Sequence, residues 1–105
     1  MNKSRLLTIA CALATTPLLF AQPAKSPPVE FQTTLWASSC MTCHGTDGKA
    51  EGVGMTINGR KYEDLYTTLI AYKAGQRTGT VMHHIVRGYS DDQLKQIAQY
   101  FSQLK

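Results

Sequence analysis

The repeat of apolar positions is plainest at the carboxyl end. In "SDDQLKQIAQYFSQLK", Leu94, Ile97, Ala98, Phe101 and Leu104 recur every third or fourth residue, which places them on one face of a helix. Ser90 followed by Gln93 supplies the capping box that starts it. Upstream, "KYEDLYTTLIAYKAG" aligns Leu65, Leu69 and Tyr72 in one helical stripe, with Glu63 and Asp64 in the first turn and Gly75 at the expected C-terminal cap. "VEFQTTLWASSC" spaces Val29, Leu35, Trp36 and Ser39 as a short helix that runs into two cysteines with Trp36 facing inward. "HHIVRG" reads as one helical turn ended by Gly88. The segments between have no sustained period. "HGTDGKAEGVGMTINGR" holds five of the chain's eight glycines and predicts a loop of about fifteen residues, a length that in a compact domain usually wraps something. "QRTGTVM" is a second irregular stretch. No alternating strand pattern and no internal repeat stand out, so the expected class is all-α.

The amino end belongs to a different regime. Lys3 and Arg5 precede a short apolar run from Leu6 to Ala14, and Ala21 offers a small-residue cleavage position, the layout of a secretory signal peptide over residues 1–21. Thr8, Thr15, Thr16 and Pro17 interrupt the run, which falls short of the roughly 20 apolar residues of a spanning helix. "QPAKSPPVE" has three prolines in nine residues and reads as a tether over 22–28, leaving one domain at 29–105. Cleavage after Ala21 leaves 84 of the 105 residues, a size at which an apolar core alone is marginal and a staple or cofactor is expected. It also removes Cys11, so Cys40 and Cys43 remain as the only thiols in an oxidising, periplasmic setting. The formal charge of +4 shrinks to +2 once Lys3 and Arg5 are gone, nine Lys and Arg standing against seven Asp and Glu. With no basic cluster, nucleic acid is an unsuitable partner and electrostatic steering of any partner is weak.

Those two thiols sit in "SSCMTCHGTDG". A Cys-x-x-Cys redox pair expects a βαβ framework, which the pattern lacks, and leaves His44 without a task. A structural zinc site needs a fourth ligand from His83 or His84, at a spacing that fits no common finger. Cys-x-x-Cys-His is the direct signature of covalent haem attachment. Two intervening residues put Cys40 and Cys43 about one helical turn apart, within reach of the two vinyl groups on one porphyrin edge. His44 then lies under the ring as proximal iron ligand, and Gly45 lets the backbone leave without striking the macrocycle.

The export signal, "CMTCHG", a helix ending "YKAGQR", the segment "TGTVM" and a last helix after "GYSDDQ" together resemble the small class I c-type cytochromes across essentially the whole mature domain. Within them the chain is most similar to the cytochrome c4 and c553 group, and to the haem-binding half-units of the cytochrome subunit of flavocytochrome c sulfide dehydrogenases. The resemblance implies a helical shell around one covalently bound haem c, with the first and last helices crossing at the attachment side. It implies Met82 as second axial ligand, 38 residues past His44, and Arg77 as a partner of the haem propionates, with Arg60 and Lys61 as further candidates. A His/Met pair raises the potential, which suits an electron carrier. His83 and His84 compete with Met82 as iron ligands, although in a helix starting at Met82 they point about 100° and 200° away, toward solvent. Met41, between the cysteines, should face away from the iron. Met55 stands where these cytochromes usually place a proline whose carbonyl accepts the proximal histidine's ring N–H; the carbonyl survives the change but the fixed φ does not. Trp36, Tyr62, Tyr66 and Tyr72 are candidates to pack near the haem.

Iron with two protein ligands leaves no open position for substrate. The implied function is single-electron transfer in the periplasm by a protein that is not itself an enzyme, with a sulfide-oxidising flavoprotein as candidate partner. The alternatives are a free carrier to a terminal oxidase or reductase and, were the sixth position open, a gas-binding or peroxide-reactive haem protein.

Overall fold

The protein is described by a computed structural model over residues 26, 28–52 and 54–105; the signal segment and most of the tether lie outside the described residues. Four helices follow in order: α1 (Val29–His44), α2 (Tyr62–Lys73), α3 (Met82–Ile85) and α4 (Asp91–Gln103), with 3₁₀ turns at Thr46–Gly48 and Val86–Gly88. Among the described residues there is no strand.

Helix α4 forms as its sequence demands. The Ser90 Oγ accepts from the Gln93 backbone N–H at 3.1 Å, and the Ser90 N–H donates to Gln93 Oε1 at 2.8 Å, so the box satisfies two of the helix's orphan donors. Leu94, Ile97, Ala98 and Phe101 are buried and Leu104 is half-buried, completing the stripe. Asp91 and Asp92 complement the positive helix start, and the Lys73 ammonium donates to Asp91 Oδ1 at 2.7 Å, tying the end of α2 to the beginning of α4. Replacing Ser90 with alanine should cost about 1 kcal/mol. Thermal denaturation should register a fall in Tm of roughly 4–8 °C; an unchanged Tm would mean that the box contributes nothing.

Helix α1 departs from its expected pattern. It is longer, running through both cysteines to His44, and of the four positions that set its period only Trp36, the one expected to face inward, packs against the core. Val29 and Leu35 are 64% and 54% exposed, and Ser39 is exposed as well. The buried side is Ala37, fully covered, flanked by half-buried Trp36, Cys40 and Met41. The physical reason is close packing: α1 packs against α4, and a methyl at Ala37 and another at Ala98 bring little bulk to the buried surface. Thr33 adds a cross-helix hydrogen bond, its Oγ1 donating to Gln96 Oε1 at 2.8 Å.

Helix α2 buries Leu65 and packs Leu69 and Tyr72 against the same core. It ends as anticipated at glycine: Gly75 takes φ +74°, a left-handed conformation that glycine adopts without cost, and the N–H groups of Gln76 and Arg77 fold back on the Ala71 carbonyl.

Candidate functional site

The last turn of α1 delivers Cys40, Cys43 and His44. Helical periodicity sets the two sulfur-bearing residues about one turn apart, Cys40 half-buried against the core and Cys43 exposed, both as free thiols. Burial pushes the Cys40 thiol up from its ordinary range, an effect only partly offset by a hydrogen bond with the Ser39 side chain and by its own backbone. Among the described residues no three His, Cys, Asp or Glu side chains converge to hold a metal ion, so the zinc alternative lacks a ligand set there.

After His44 the chain must turn sharply. Gly45 has φ +81°, and a side chain there would collide with the Lys49 carbonyl. Gly48, also left-handed at φ +74°, is buried against Phe101 and Ile57. Its carbonyl accepts from the N–H groups of Ile57 and Asn58 at 2.8 and 3.1 Å, which folds the glycine-rich loop back onto itself. Gly54 completes the return: a Cβ on it would strike the Cys43 carbonyl, so only a bare backbone can lie against the end of α1 here. The sequence pattern does not single out Gly54; its one local signal is its place directly before Met55.

The loop's closure puts the Met55 carbonyl 2.6 Å from His44 Nδ1. A carbonyl can only accept, so Nδ1 carries the ring proton and Nε2 keeps its lone pair for a metal. Such a fixed tautomer is what an iron-binding imidazole needs, and a backbone carbonyl is a common means of fixing it. Methionine in place of the usual proline therefore leaves the contact intact. Two attachable thiols, one oriented imidazole and a turn opened by the bare backbone of Gly45 fit the haem that the motif implies.

Met82 opens α3 and is half-buried against the core cluster. His84 is exposed, but His83 departs from the solvent-facing expectation: it is half-buried, and its Nδ1 is fully buried without a hydrogen-bond partner. The 100° offset turns it along the protein surface rather than away from it, toward the end of α2. Met41 packs into the core. Tyr62 and Tyr66 stack with ring centroids 5.8 Å apart, and both, with Trp36 and Tyr72, contact the core cluster.

The basic candidates divide. Arg60 is exposed and points a guanidinium N–H at the Met55 sulfur, while exposed Lys61 is the residue before α2. Arg77 is exposed, its guanidinium carbon 5.3 Å from the centre of the Tyr72 ring, and it shares a cavity with Gly75, Thr78, Gly79, His83 and Arg87. Neither Cys40, Cys43, His44 nor Met82 lines that cavity.

The family model for cytochrome c matches residues 32–105. The cytochrome subunit of sulfide dehydrogenase from Chlorobaculum tepidum is 40% identical over 84 residues, covering 80% of this chain and 76% of that protein. Cytochrome c-553 from Nitratidesulfovibrio vulgaris is 41% identical over 71 residues, covering 63% of this chain and 70% of that protein.

Proposed function

The chain belongs to the cytochrome c family, and from that premise we propose that it works in the periplasm as the electron acceptor of a sulfide-oxidising flavoprotein. Cytochromes of this family bind haem c covalently and carry single electrons; they are not enzymes in their own right. The finer reading assigns Cys40 and Cys43 as attachment points, His44 and Met82 as axial ligands, and residues 1–21 as the export signal.

The observation that supports this reading best is the 2.6 Å contact between His44 Nδ1 and the Met55 carbonyl, beside two thiols in a Cys-x-x-Cys-His arrangement. When bound, haem supplies a one-electron ferric/ferrous couple. The chain's own residues hold it and set its behaviour. His44 is oriented by the loop carbonyl, Met82 offers a weakly basic thioether from the core side, and the core cluster of α1, α2 and α4 excludes water. The exposed Ser38, Thr42 and Cys43 at the end of α1 are small, so a partner can approach the attachment edge closely through a modest, transient interface. Among the described residues no helix is long and apolar enough to cross a membrane.

The sulfide assignment leans on the likeness to the Chlorobaculum tepidum subunit. The likeness to cytochrome c-553 favours a second reading, a free carrier between other redox complexes. Purification from the periplasm separates them. The expected result is a polypeptide that keeps its haem after denaturation, co-purifies with a flavin-containing chain and is reduced by sulfide only in that chain's presence. Sulfide reduction of the isolated cytochrome at the same rate, or no flavoprotein association at all, would remove the first reading and leave the second. Loss of haem on denaturation would remove both.

A further inference from the structure

We propose that Tyr89 is a positioning residue that holds the segment carrying Met82 closed against α1, an inference that rests on Met82 as the second axial ligand. Met82 begins an unbroken helical stretch, α3 followed by the 3₁₀ turn at Val86–Gly88, and Tyr89 comes directly after it. A ligand at one end of such a stretch moves with the residue at the other.

Tyr89 is fixed from several sides. It is half-buried and packs against the core cluster. Its carbonyl accepts from the Lys73 ammonium at 2.8 Å, and the same ammonium donates to Asp91, so the end of α2 grips the chain on both sides of Ser90. Its hydroxyl oxygen lies 2.7 Å from Ser39 Oγ on α1. Ser39 commits its one hydroxyl proton to the Trp36 carbonyl at 2.7 Å, so toward Tyr89 the serine oxygen accepts and the phenol donates.

That last bond is what couples Tyr89 to the ligand. Helix α2 packs against both α3 and the 3₁₀ turn, and α1 packs against α4, but contact between α1 and the Met82 segment is slight. Among the described residues no other hydrogen bond joins α1 to residues 82–90. Ser39 directly precedes Cys40, and the same helix ends in His44. The phenol therefore ties the helix of the first axial ligand to the segment of the second. Displacing Met82 then requires the phenol to leave Ser39, which favours the closed arrangement and keeps the sixth position shut to outside ligands.

The test uses the haem-loaded ferric protein titrated with imidazole, which replaces a thioether ligand and removes the near-infrared charge-transfer band. Tyr89→Phe keeps the ring and its packing and deletes only the hydroxyl. Imidazole affinity is expected to rise about threefold to fivefold, the ratio that one net hydrogen bond supplies. Ser39→Ala should give the same rise, and the double variant no more than either single one, because both changes remove the same bond. Thermal denaturation, read alongside, separates positioning from stability. A Tm that falls while imidazole affinity stays unchanged would overturn the proposal, as would single effects that add in the double variant. If the parent protein lacks the band, the Met82 reading fails and the tie falls with it. A parent that has the band, with a Tyr89→Phe variant that binds imidazole equally well, removes the tie alone.

Discussion

Replacing Met82 with alanine is expected to abolish the weak near-infrared charge-transfer band of the ferric protein and to lower its reduction potential by on the order of 0.2 V, a fraction of the roughly 0.8 V that axial ligation spans. The reasoning starts from the thioether. It is a soft, weakly basic donor that favours ferrous iron, so its removal favours ferric iron and the potential falls. Met82 stands at the first position of a four-residue helix, after an irregular segment, and half of it is already packed against the core. The truncated residue leaves the second axial position to water or to a neighbour, and the reduced variant should bind carbon monoxide readily where the parent binds it poorly. Persistence of the band in the alanine variant would exclude Met82. The competitor nearest in sequence is His83, whose half-burial brings it closer to the interior than exposed His84. A parent protein with the spectrum of two nitrogen ligands, lost in His83→Ala and kept in Met82→Ala, would transfer the role to His83.

How far the site could be read in advance differs from residue to residue, and the differences have physical causes. The attachment turn is local: Cys40, Cys43 and His44 lie within the last five residues of one helix, so spacing alone sets their relation. The α4 stripe and its capping box are local in the same sense, and both form as the pattern predicts. The inward face of α1 is not local. Ala37 is fully buried because α4 packs there, and Leu35 is left outside despite its greater hydrophobicity, a choice made by the packing partner and invisible to periodicity. The Met55 carbonyl belongs to a third kind. The loss of proline removes a fixed φ, but two glycines on either side of the loop, Gly48 and Gly54, make close approaches that hold the same carbonyl against His44. Backbone contacts of that sort carry no side-chain signature beyond the glycines themselves.

Phe101→Ala should be the most damaging change to the core, costing about 3–5 kcal/mol. Stabilities of small domains are about 5–15 kcal/mol, so a single truncation of that size removes a large part of the margin. Phe101 is 1% exposed and lies where α4 meets the loop that follows the haem-attachment turn. Its ring sits where any Cβ on Gly48 would fall, and its backbone carbonyl accepts from the Gly59 N–H at 2.9 Å. The ring therefore supports the segment that closes on His44 as well as the helix that carries it. Loss of the ring leaves a cavity beside Gly48, so the damage should be polarised toward the loop. Hydrogen exchange resolves this: the amides of Ile57 and Asn58, both bonded to the Gly48 carbonyl, should lose more protection than amides in α2. Thermal denaturation of the haem-loaded variant should fall by on the order of 15–30 °C, and Phe101→Leu should recover most of it because shape is largely conserved. A cost below about 1 kcal/mol, or a uniform rise in exchange across α2 and the loop, would mean that the haem rather than Phe101 carries the loop.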